Sequence, residues 1–314
     1  MKELNYEKAF NTLVEETANY VTSNGLKAMV LGISGGIDST VVAAICHEVS
    51  KKTGIPLIGR SLPIKNKDDE FSVSKLVGEA FCDEFKVFNL SNSYKASLFD
   101  LCVDAGLIKD YKGYDLYWVS DLEELAGRTP IANGNLQARC RMKHLYDIAS
   151  IRKGLVMSTD NQTEYQLGFW TIHGDVGDFD PIQDLWKTEV YKLANWINNK
   201  YETIAEGDVY GKEFEEYLAK STALEASIAL TPTDGLGISN SDLEQIGAKS
   251  YYDVDRVLQT LVRKASPEND KLQDSLEKEL GAEVIGKIIK RHRASEFKRK
   301  KAPIYITREK YEND

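Results

Sequence analysis

Short apolar runs alternate with helical patterns along the first two thirds of the chain. The strand candidates, which are short apolar runs, lie at 27–33, 55–62, 85–90 and 154–158. The helix candidates, where apolar residues recur at helical spacing, lie at 5–23, 40–51, 68–82, 94–105, 133–151 and 187–198. Strands that alternate with helices predict an α/β fold, with a parallel sheet covered by helices on both faces.

The rest of the chain carries a different pattern. From residue 242 onward the sequence reads as helices only. We therefore expect one domain over 1–314, with a core at about 5–200 and a helical C-terminal extension at about 240–305. Segments 108–128 and 201–230 are rich in tyrosine and glycine, and we expect irregular insertions there.

The most informative local motif is a glycine-rich turn between the first strand and the next helix. It reads Gly-Ile-Ser-Gly-Gly-Ile-Asp-Ser over residues 32–39. Glycines let the backbone approach an anion, and the helix that follows directs N–H groups and its positive end toward that anion. A carboxylate in such a turn, here Asp38, calls for a divalent cation beside the phosphates. The motif predicts a pyrophosphate site with magnesium; the alternative is a tight turn that merely uses glycines.

Composition narrows the class of partner and the compartment. The net charge of −9 over 314 residues disfavours a nucleic-acid partner. There is no apolar run of about 18 residues and no apolar leader, so we expect no membrane contact and a cytoplasmic location. The four cysteines lie far apart in the sequence, which disfavours a zinc or redox pair.

Several polar segments accompany the turn, and their order along the chain is informative. They lie at 134–142, 156–181, 185–188, 232–236 and 296–299. Together with the turn they resemble the NAD synthetase family, of the single-domain, ammonia-using kind, over roughly 5–90 and 133–305. The resemblance implies a doubly wound parallel sheet with flanking helices, of the adenine-nucleotide α-hydrolase type. It also implies a homodimer that uses Mg²⁺, ATP and ammonia to amidate deamido-NAD, releasing AMP and pyrophosphate.

The resemblance assigns roles position by position. It implies that the ATP phosphates are held by Gly32, Ile33, Ser34, Gly35, Gly36, Ile37, Asp38 and Ser39. It implies further ATP contacts from Thr159, Lys187 and Thr233, and magnesium ligands Asp38 and Glu164. The implied deamido-NAD contacts are Arg139, Lys298 and Asp178, the last at a spacing one residue shorter than in the family. The implied catalytic residues are Asp38, Lys187 and Asp175, where Asp175 positions the carboxylate or the ammonia.

Taken one at a time, these residues also have ordinary structural interpretations. Glu164 alone could be a helix carboxylate, and Arg139 a solvated surface residue. Lys187 could form a surface pair with Glu189, which would contribute little. Thr159 could be a cap or turn hydroxyl, as could Thr233.

Two positions depart from the family pattern. Ile172 stands where the family has a lysine that contacts the dinucleotide, and Phe297 stands where it has a histidine. Three alternatives stay open: replacement contacts to deamido-NAD, an acceptor such as nicotinate mononucleotide or another carboxylate, and a nucleotide-binding protein without turnover. Residues 1–26, ahead of the first predicted strand, are too few for a glutaminase domain, so we expect free ammonia as the substrate. A glutaminase acting in trans also stays open.

Overall fold

The computed structural model describes residues 4–64, 68–108, 122–207, 211–231, 242–263 and 267–299, and these residues surround a parallel sheet. Its strands are β1 (Met29–Gly32), β2 (Leu57–Ser61), β3 (Glu84–Val87) and β4 (Leu155–Val156). Neighbouring strands are all parallel, in the order β3-β2-β1-β4. Each overlaps a predicted strand, which confirms the predicted α/β class.

Helices make up most of the remaining described chain. Before β4 they are α1 (Tyr6–Ser23), α2 (Ile37–Thr53), α3 (Asp68–Phe81), α4 (Ser91–Asp104), α5 (Leu122–Leu125) and α6 (Pro130–Arg152). After β4 they are α7 (Gln162–Leu167), α8 (Lys187–Gly207), α9 (Lys212–Ala229), α10 (Asp242–Ile246), α11 (Tyr251–Val262), α12 (Pro267–Leu280), α13 (Ala282–Ala294) and α14 (Glu296–Arg299). The run from α10 to α14 confirms the predicted helical extension. Across the described ranges, none of these helices has the length and apolar character needed to span a bilayer.

The two faces of the sheet pack against different helices, because successive side chains of a strand point to opposite sides. Met29 and Leu31 of β1 lie in a cluster with α1, α2, α3, α8 and α9. Val30, between them, lies in a cluster with α4 and α6 on the other face. All three side chains are fully buried. Burial on both faces explains why the strands read as continuous apolar runs rather than as alternating patterns.

A third hydrophobic cluster lies among the C-terminal helices. It joins Leu167 of α7 and Trp186 to residues of α10, α11, α12 and α13, including Val254 and Ile288. Trp186 directly precedes α8. The C-terminal extension therefore packs against the end of α7 and the segment that begins α8.

The expectation of irregular structure at 201–230 is wrong. The helix α8 continues through Tyr201 to Gly207, and α9 follows it. Tyr201 and Leu224 are fully buried in the main cluster, so they are core residues rather than parts of an insertion. Tyrosine content misled the interpretation, because a tyrosine can be buried when its hydroxyl is paired, as Tyr201 is with Glu48 at 3.1 Å. In the other segment, α5 is helical and 109–121 lie outside the described residues.

The strand order places a crevice between β1 and β4. From β1 the chain proceeds to β2 and β3 on one side and then returns to add β4 on the other. Connections that leave neighbouring strands in opposite directions open a crevice at their carboxyl ends, where ligands of such sheets bind. The glycine-rich turn follows β1, and Thr159 and Asp160 lie just beyond β4.

Candidate active site

The glycine-rich turn presents backbone donors at the start of α2. Gly35 has a φ of 87°, a left-handed conformation that glycine adopts without strain. Gly36 is the N-cap of α2, and no side chain in the described chain caps that end. Ser34 Oγ and Ser39 Oγ lie 2.9 Å apart beside it. The first turn of α2 therefore offers N–H groups and two hydroxyls to an anion.

The apolar residues of the turn contribute only their backbone to this surface. Ile33 and Ile37 are 2% and 3% exposed, and both side chains lie in the main hydrophobic cluster. Gly32 packs closely against the core, since a Cβ there would lie 3.2 Å from Leu145 Cδ1. Of the residues predicted to hold phosphate, Gly32, Ile33 and Ile37 therefore pack against the core. The polar groups that could face phosphate come from the other positions of the turn.

Three helices bring charged side chains together beside the turn. Asp38 lies in the first turn of α2, Glu164 in that of α7, and Lys187 begins α8. The Lys187 ammonium contacts Asp38 Oδ2 and lies 3.1 Å from Glu164 Oε1. Lys187 is 2% exposed, so it is not a surface partner of Glu189. We call Asp38, Glu164 and Lys187 the ion cluster.

Burial and mutual charge shift the protonation of this cluster. Burial raises the pKa of Glu164 to about 8, which the Lys187 charge opposes and the Asp38 charge reinforces. Burial acts to lower the pKa of Lys187, but the carboxylates of Asp38 and Glu164 outweigh it and hold that pKa well above its usual range. Lys187 is therefore a permanent cation, whereas burial favours the protonated form of Glu164. A metal ion bound to Glu164 would displace that proton.

A capping box orients Glu164. Asn161 Oδ1 accepts from Glu164 N at 3.0 Å, and Glu164 Oε2 accepts from Asn161 N at 3.2 Å. The Asn161 amide also donates to Asp38 Oδ1 at 2.8 Å, so it joins α7 to α2. Asn161 had no predicted role, although its Asn-x-x-Glu spacing is a helix-start signal visible in the sequence.

The donor set of the ion cluster fits a magnesium ion that arrives with phosphate oxygens. Mg²⁺ in nucleotide sites commonly takes one or two carboxylates from the protein and the rest of its oxygens from phosphates and water. Asp38 and Glu164 supply two carboxylates, and the Lys187 ammonium between them marks a position suited to positive charge. Within the described ranges, no group of three or more His, Cys, Asp or Glu side chains could hold a metal ion by itself.

The predicted acceptor-binding cations lie on a second, more open side of the crevice. Arg139 of α6 is exposed, and its guanidinium donates to the Ile172 carbonyl at 3.3 Å. Lys298 of α14 is half-buried and donates to the Gly168 carbonyl at 2.6 Å. Phe297, beside it, is 55% exposed. The two positions that depart from the family pattern, Ile172 and Phe297, carry no positive charge.

Asp175 lies within electrostatic reach of both cations. Thr171 N donates to its two carboxylate oxygens at 2.7 and 3.0 Å. Burial raises the pKa of Asp175 to about 6, although the Thr171 N–H and the charges of Lys298 and Arg139 oppose the shift. The structure therefore brings Asp175, Arg139 and Lys298 together, and most Asp175 side chains are ionised at neutral pH.

Asp178 serves the sheet as well as the crevice. Its Oδ2 accepts from Val156 N of β4 at 2.9 Å, and its Oδ1 accepts from the Tyr146 hydroxyl at 2.9 Å. Burial, together with the bond to Asp178, raises the pKa of Tyr146 to about 12. Next in the chain, Phe179 forms an isolated parallel bridge with Met157. Asp178 thus fixes the segment after Asp175 to the edge of the sheet.

A buried carboxylate, Asp160, and a half-buried one, Asp180, lie between the two sides and had no predicted role. Asp160 Oδ2 accepts from Ser158 Oγ at 2.8 Å, and Asp180 Oδ2 accepts from Asp160 N at 3.1 Å. Burial raises the pKa of Asp160 well above its usual range, and the charges of Asp175 and Glu164 reinforce the shift. Burial also raises the pKa of Asp180 to about 7. The sequence signal for Asp160 was its place just beyond a strand; Asp180 had none.

The other predicted ATP contacts are Thr159 and Thr233, and Asp255 is a further residue that had no predicted role. Thr159 is half-buried just beyond β4. Thr233 falls in 232–241, outside the described residues. Asp255 of α11 belongs to no motif, yet its carboxylate bonds to Thr163 and Thr188, the neighbours of the ion cluster in sequence. Its contribution depends on tertiary packing, which local sequence does not reveal.

Comparison with known proteins gives three relationships. A profile of the NAD synthase family matches residues 9–302. An NH(3)-dependent NAD(+) synthetase of Fusobacterium nucleatum is 27% identical over 300 residues, covering 95% of each chain. A glutamine-dependent NAD(+) synthetase of Aquifex aeolicus is 27% identical over 300 residues, which is 95% of this chain and 45% of that protein. This chain therefore spans less than half the length of the glutamine-dependent relative.

A solved structure of an NMN synthetase from Francisella tularensis is similar in fold. It aligns with a TM-score of 0.68 at 22% sequence identity, over 96% of this chain and 99% of that chain. The likeness confirms the predicted doubly wound sheet of the adenine-nucleotide α-hydrolase type. Because the profile match runs through the glycine-rich turn, the ion cluster and the segments of Arg139, Asp175 and Lys298, this chain belongs to the NAD synthase family of ligases.

Proposed function

We propose that this protein amidates the nicotinate carboxylate of deamido-NAD with ammonia, at the expense of ATP. The observation that carries the proposal is the meeting of Asp38, Glu164 and Lys187 beside the start of α2. A buried ammonium between two carboxylates, next to backbone donors, suits a triphosphate that brings its own magnesium ion. Membership of the NAD synthase family supports the same reaction.

The reaction requires activation of the carboxylate, because its negative charge repels ammonia and oxide is a poor leaving group. A carboxylate oxygen attacks the α-phosphorus of ATP, which forms an acyl–AMP bond and breaks the bond to pyrophosphate. Ammonia then attacks the acyl carbon, AMP leaves, and one proton is released to give the amide. The protein needs to position the reactants and stabilise charge rather than form covalent bonds.

The glycine-rich turn and the ion cluster, together called the nucleotide side, would supply that charge stabilisation. The N–H groups of the turn, with Ser34 and Ser39, would hold the phosphates. Lys187 would offset the charge on the departing pyrophosphate. Asp38 and Glu164 would hold magnesium, which neutralises phosphate charge when bound. Burial of the ion cluster keeps water from the reacting groups and so limits hydrolysis of the activated carboxylate.

Arg139, Asp175 and Lys298, together called the acceptor side, would supply orientation and a base. Arg139 and Lys298 would contact the nucleotide part of the acceptor, where a guanidinium or ammonium pairs well with phosphate. Asp175 has a pKa raised by burial to about 6, so near neutral pH it can accept the proton that ammonia loses. Asp178 would set the position of this segment through its bonds to β4 and α6.

A specific observation favours nicotinate mononucleotide as a second candidate acceptor. Ile172 and Phe297 replace the lysine and histidine that the resemblance implies for dinucleotide binding, and Phe297 is 55% exposed. These changes weaken the expected hold on a dinucleotide and leave the nucleotide side intact. The similarity in fold to an NMN synthetase supports this candidate as well.

We further propose a cytoplasmic homodimer in which each copy is one domain over 1–314. Support comes from the family resemblance, which implies a homodimer, and from α6, which carries Arg139 and exposes Ile131 at 56%. A second copy packed there would cover apolar surface and lie near the acceptor side. Size-exclusion chromatography with light scattering should give twice the monomer mass; a monomer at assay concentration would contradict the dimer.

Product analysis by mass spectrometry tests the proposed reaction. The protein is given ammonium and magnesium-ATP with deamido-NAD, or separately with nicotinate mononucleotide. We expect NAD and AMP from deamido-NAD. Product from the mononucleotide alone would establish the second candidate instead. The absence of AMP with either acceptor would contradict both and leave either another carboxylate as the acceptor or a protein that binds nucleotide without turnover.

A further inference from the structure

A buried aspartate of the C-terminal extension reaches the back of the ion cluster. Asp255 of α11 is 1% exposed. Its Oδ1 accepts from Thr163 Oγ1 at 2.5 Å. Its Oδ2 accepts from Thr188 N at 3.0 Å and from Thr188 Oγ1 at 2.8 Å. One carboxylate therefore joins α11 to both α7 and α8.

These bonds act on the immediate neighbours of the ion cluster. Thr163 precedes Glu164 in the first turn of α7, and Thr188 follows Lys187 at the start of α8. Thr163 Oγ1 also accepts from Lys187 N at 2.9 Å. The path from Asp255 through Thr163 thus ends on the backbone of Lys187 itself, so one carboxylate orients the residues on both sides of the Lys187–Glu164 contact.

The charge of Asp255 is matched to this position. Its carboxylate lies at the N-terminal end of α8, where a negative charge is favoured by the helix dipole and by N–H groups that no preceding turn can satisfy. Burial raises the pKa of Asp255 to about 6, against the hydrogen bonds from Thr163 and Thr188. The group is therefore mainly ionised at neutral pH, and three donors compensate for its burial.

We infer that Asp255 is a positioning residue for nucleotide binding: it ties the C-terminal helices to the ion cluster and sets the separation of Lys187 and Glu164. It touches no substrate and acts through Thr163 and Thr188. The inference rests on the proposed function, since it takes the ion cluster to be the site of magnesium-ATP. It gives the C-terminal extension a role in the nucleotide site rather than in stability alone.

Two substitutions of Asp255 and one of Thr163 separate positioning from folding. Asp255→Ala leaves the Thr163 and Thr188 donors unpaired and frees both helix starts. Asp255→Asn can restore the link, because its oxygen can face Thr188 while its amide donates to Thr163 Oγ1. Thr163→Val keeps the side-chain volume and removes the oxygen that joins Asp255 to Lys187 N. The matched control is Asn269→Ala: Asn269 of α12 is buried and donates to the Thr260 carbonyl at 2.9 Å in the same extension.

The readout is the dissociation constant of magnesium-ATP by isothermal titration calorimetry on the full chain, with KM values and melting temperature alongside. Asp255→Ala should weaken magnesium-ATP binding on the order of tenfold to a hundredfold, as for other residues that orient metal ligands. Its KM for ammonia and for the acceptor should stay unchanged. Asp255→Asn should recover most of the affinity, and adding Asp255→Ala to Thr163→Val should weaken binding less than additively.

The control decides between positioning and general stability. Asn269→Ala should lower the melting temperature and leave magnesium-ATP binding unchanged. Equal loss of affinity in Asn269→Ala and Asp255→Ala, or unchanged affinity in Asp255→Ala, would overturn the inference. If the unmodified protein binds magnesium-ATP but amidates neither acceptor, the proposed reaction fails while this comparison still decides the role of Asp255. If it binds no magnesium-ATP, both fail.

Discussion

The nucleotide side and the acceptor side of this molecule differ in how deeply their charged side chains are buried and how closely these are held. On the nucleotide side, Lys187 is 2% exposed and lies between carboxylates from two other helices. On the acceptor side, Arg139 is exposed and reaches a backbone carbonyl at 3.3 Å. Under the proposed function, this difference would suit a preorganised site for the step that every substrate shares, beside a looser surface that would select which carboxylate is activated.

The physical cost of change differs between the two sides in the same way. Removing one member of a buried ion pair leaves a charge without compensation, which strongly destabilises the fold. Changing an exposed cation costs little stability. Departures from the family pattern are therefore tolerated more readily on the acceptor side, and Ile172 and Phe297 are both found there. The same contrast makes the two sides separable by mutation.

Asp38→Asn should have the largest effect. The change keeps the size of the side chain and an oxygen for Asn161 Nδ2, but it removes the charge that faces Lys187 and would bind magnesium. We expect AMP formation to fall by about a hundredfold to a thousandfold. The fold should be retained by circular dichroism, because Glu164 still pairs with Lys187. Asp100→Asn, on an exposed position of α4, is the control and should keep full activity. Normal turnover in Asp38→Asn would contradict the role of the ion cluster.

Arg139→Ala should affect the acceptor side alone. Loss of a charge-assisted contact to the acceptor should raise the KM of deamido-NAD by about tenfold to a hundredfold, with the KM of magnesium-ATP unchanged. The matched control is Arg152→Ala, at the far end of the same helix, where Arg152 pairs with Glu84 at 2.7 Å. An equal rise in both KM values would show that the two sides are not separable.

Asp175→Asn should reveal how the stability of the acceptor side depends on pH. The pKa of Asp175, raised by burial to about 6, exceeds its unfolded value of 3.8, so the folded state holds the proton more tightly. Its stabilising contribution is therefore complete below the unfolded value and is lost as the pH rises through about 6. The asparagine has no such loss, and from about pH 4.5 to about pH 7.5 it should gain about 2 kcal/mol over the unmodified protein. Urea unfolding at both pH values measures this difference, and a difference independent of pH would refute the assignment.

Ile172→Lys should have the smallest effect, and it adds a charge to the acceptor side instead of removing one. It restores the positive charge that the resemblance implies for binding a dinucleotide. We expect kcat/KM for deamido-NAD to rise by about threefold relative to nicotinate mononucleotide, as for an exposed charge pair. Leu76→Lys adds the same charge on α3, where Leu76 is 42% exposed, and should leave the ratio unchanged. Equal ratios in the two variants would mean that position 172 does not face the acceptor.

Much of the fold could be predicted from sequence because its signals are local. Apolar runs marked all four strands, and the glycine-rich turn marked the start of α2. The segment at 201–230 was misread, since burial of Tyr201 depends on a partner, Glu48, that lies far away in sequence. Composition within a window does not record such contacts.

The candidate site shows the same limit at the level of single residues. Asp253 and Asp255 lie two positions apart on α11. Asp253 accepts from Ser250 Oγ at 2.8 Å at the start of its own helix, whereas Asp255 reaches Thr163 and Thr188 on two others. The Ser-x-x-Asp spacing marks Asp253 in the sequence as a helix-start residue, whereas nothing local marks Asp255, because its role depends on what packs against its face of the helix. The predicted ion-cluster residues came from an ordered set of motifs instead, and the structure brings Asp38, Glu164 and Lys187 together.

The central claim is that the nucleotide side activates a carboxylate before ammonia is required. Exchange of labelled pyrophosphate into ATP, measured with magnesium and either nicotinate nucleotide but without ammonium, tests it most directly. We expect exchange that depends on the nicotinate nucleotide and is lost in Asp38→Asn. No exchange with either nucleotide, while amide forms once ammonium is added, would contradict activation before ammonia.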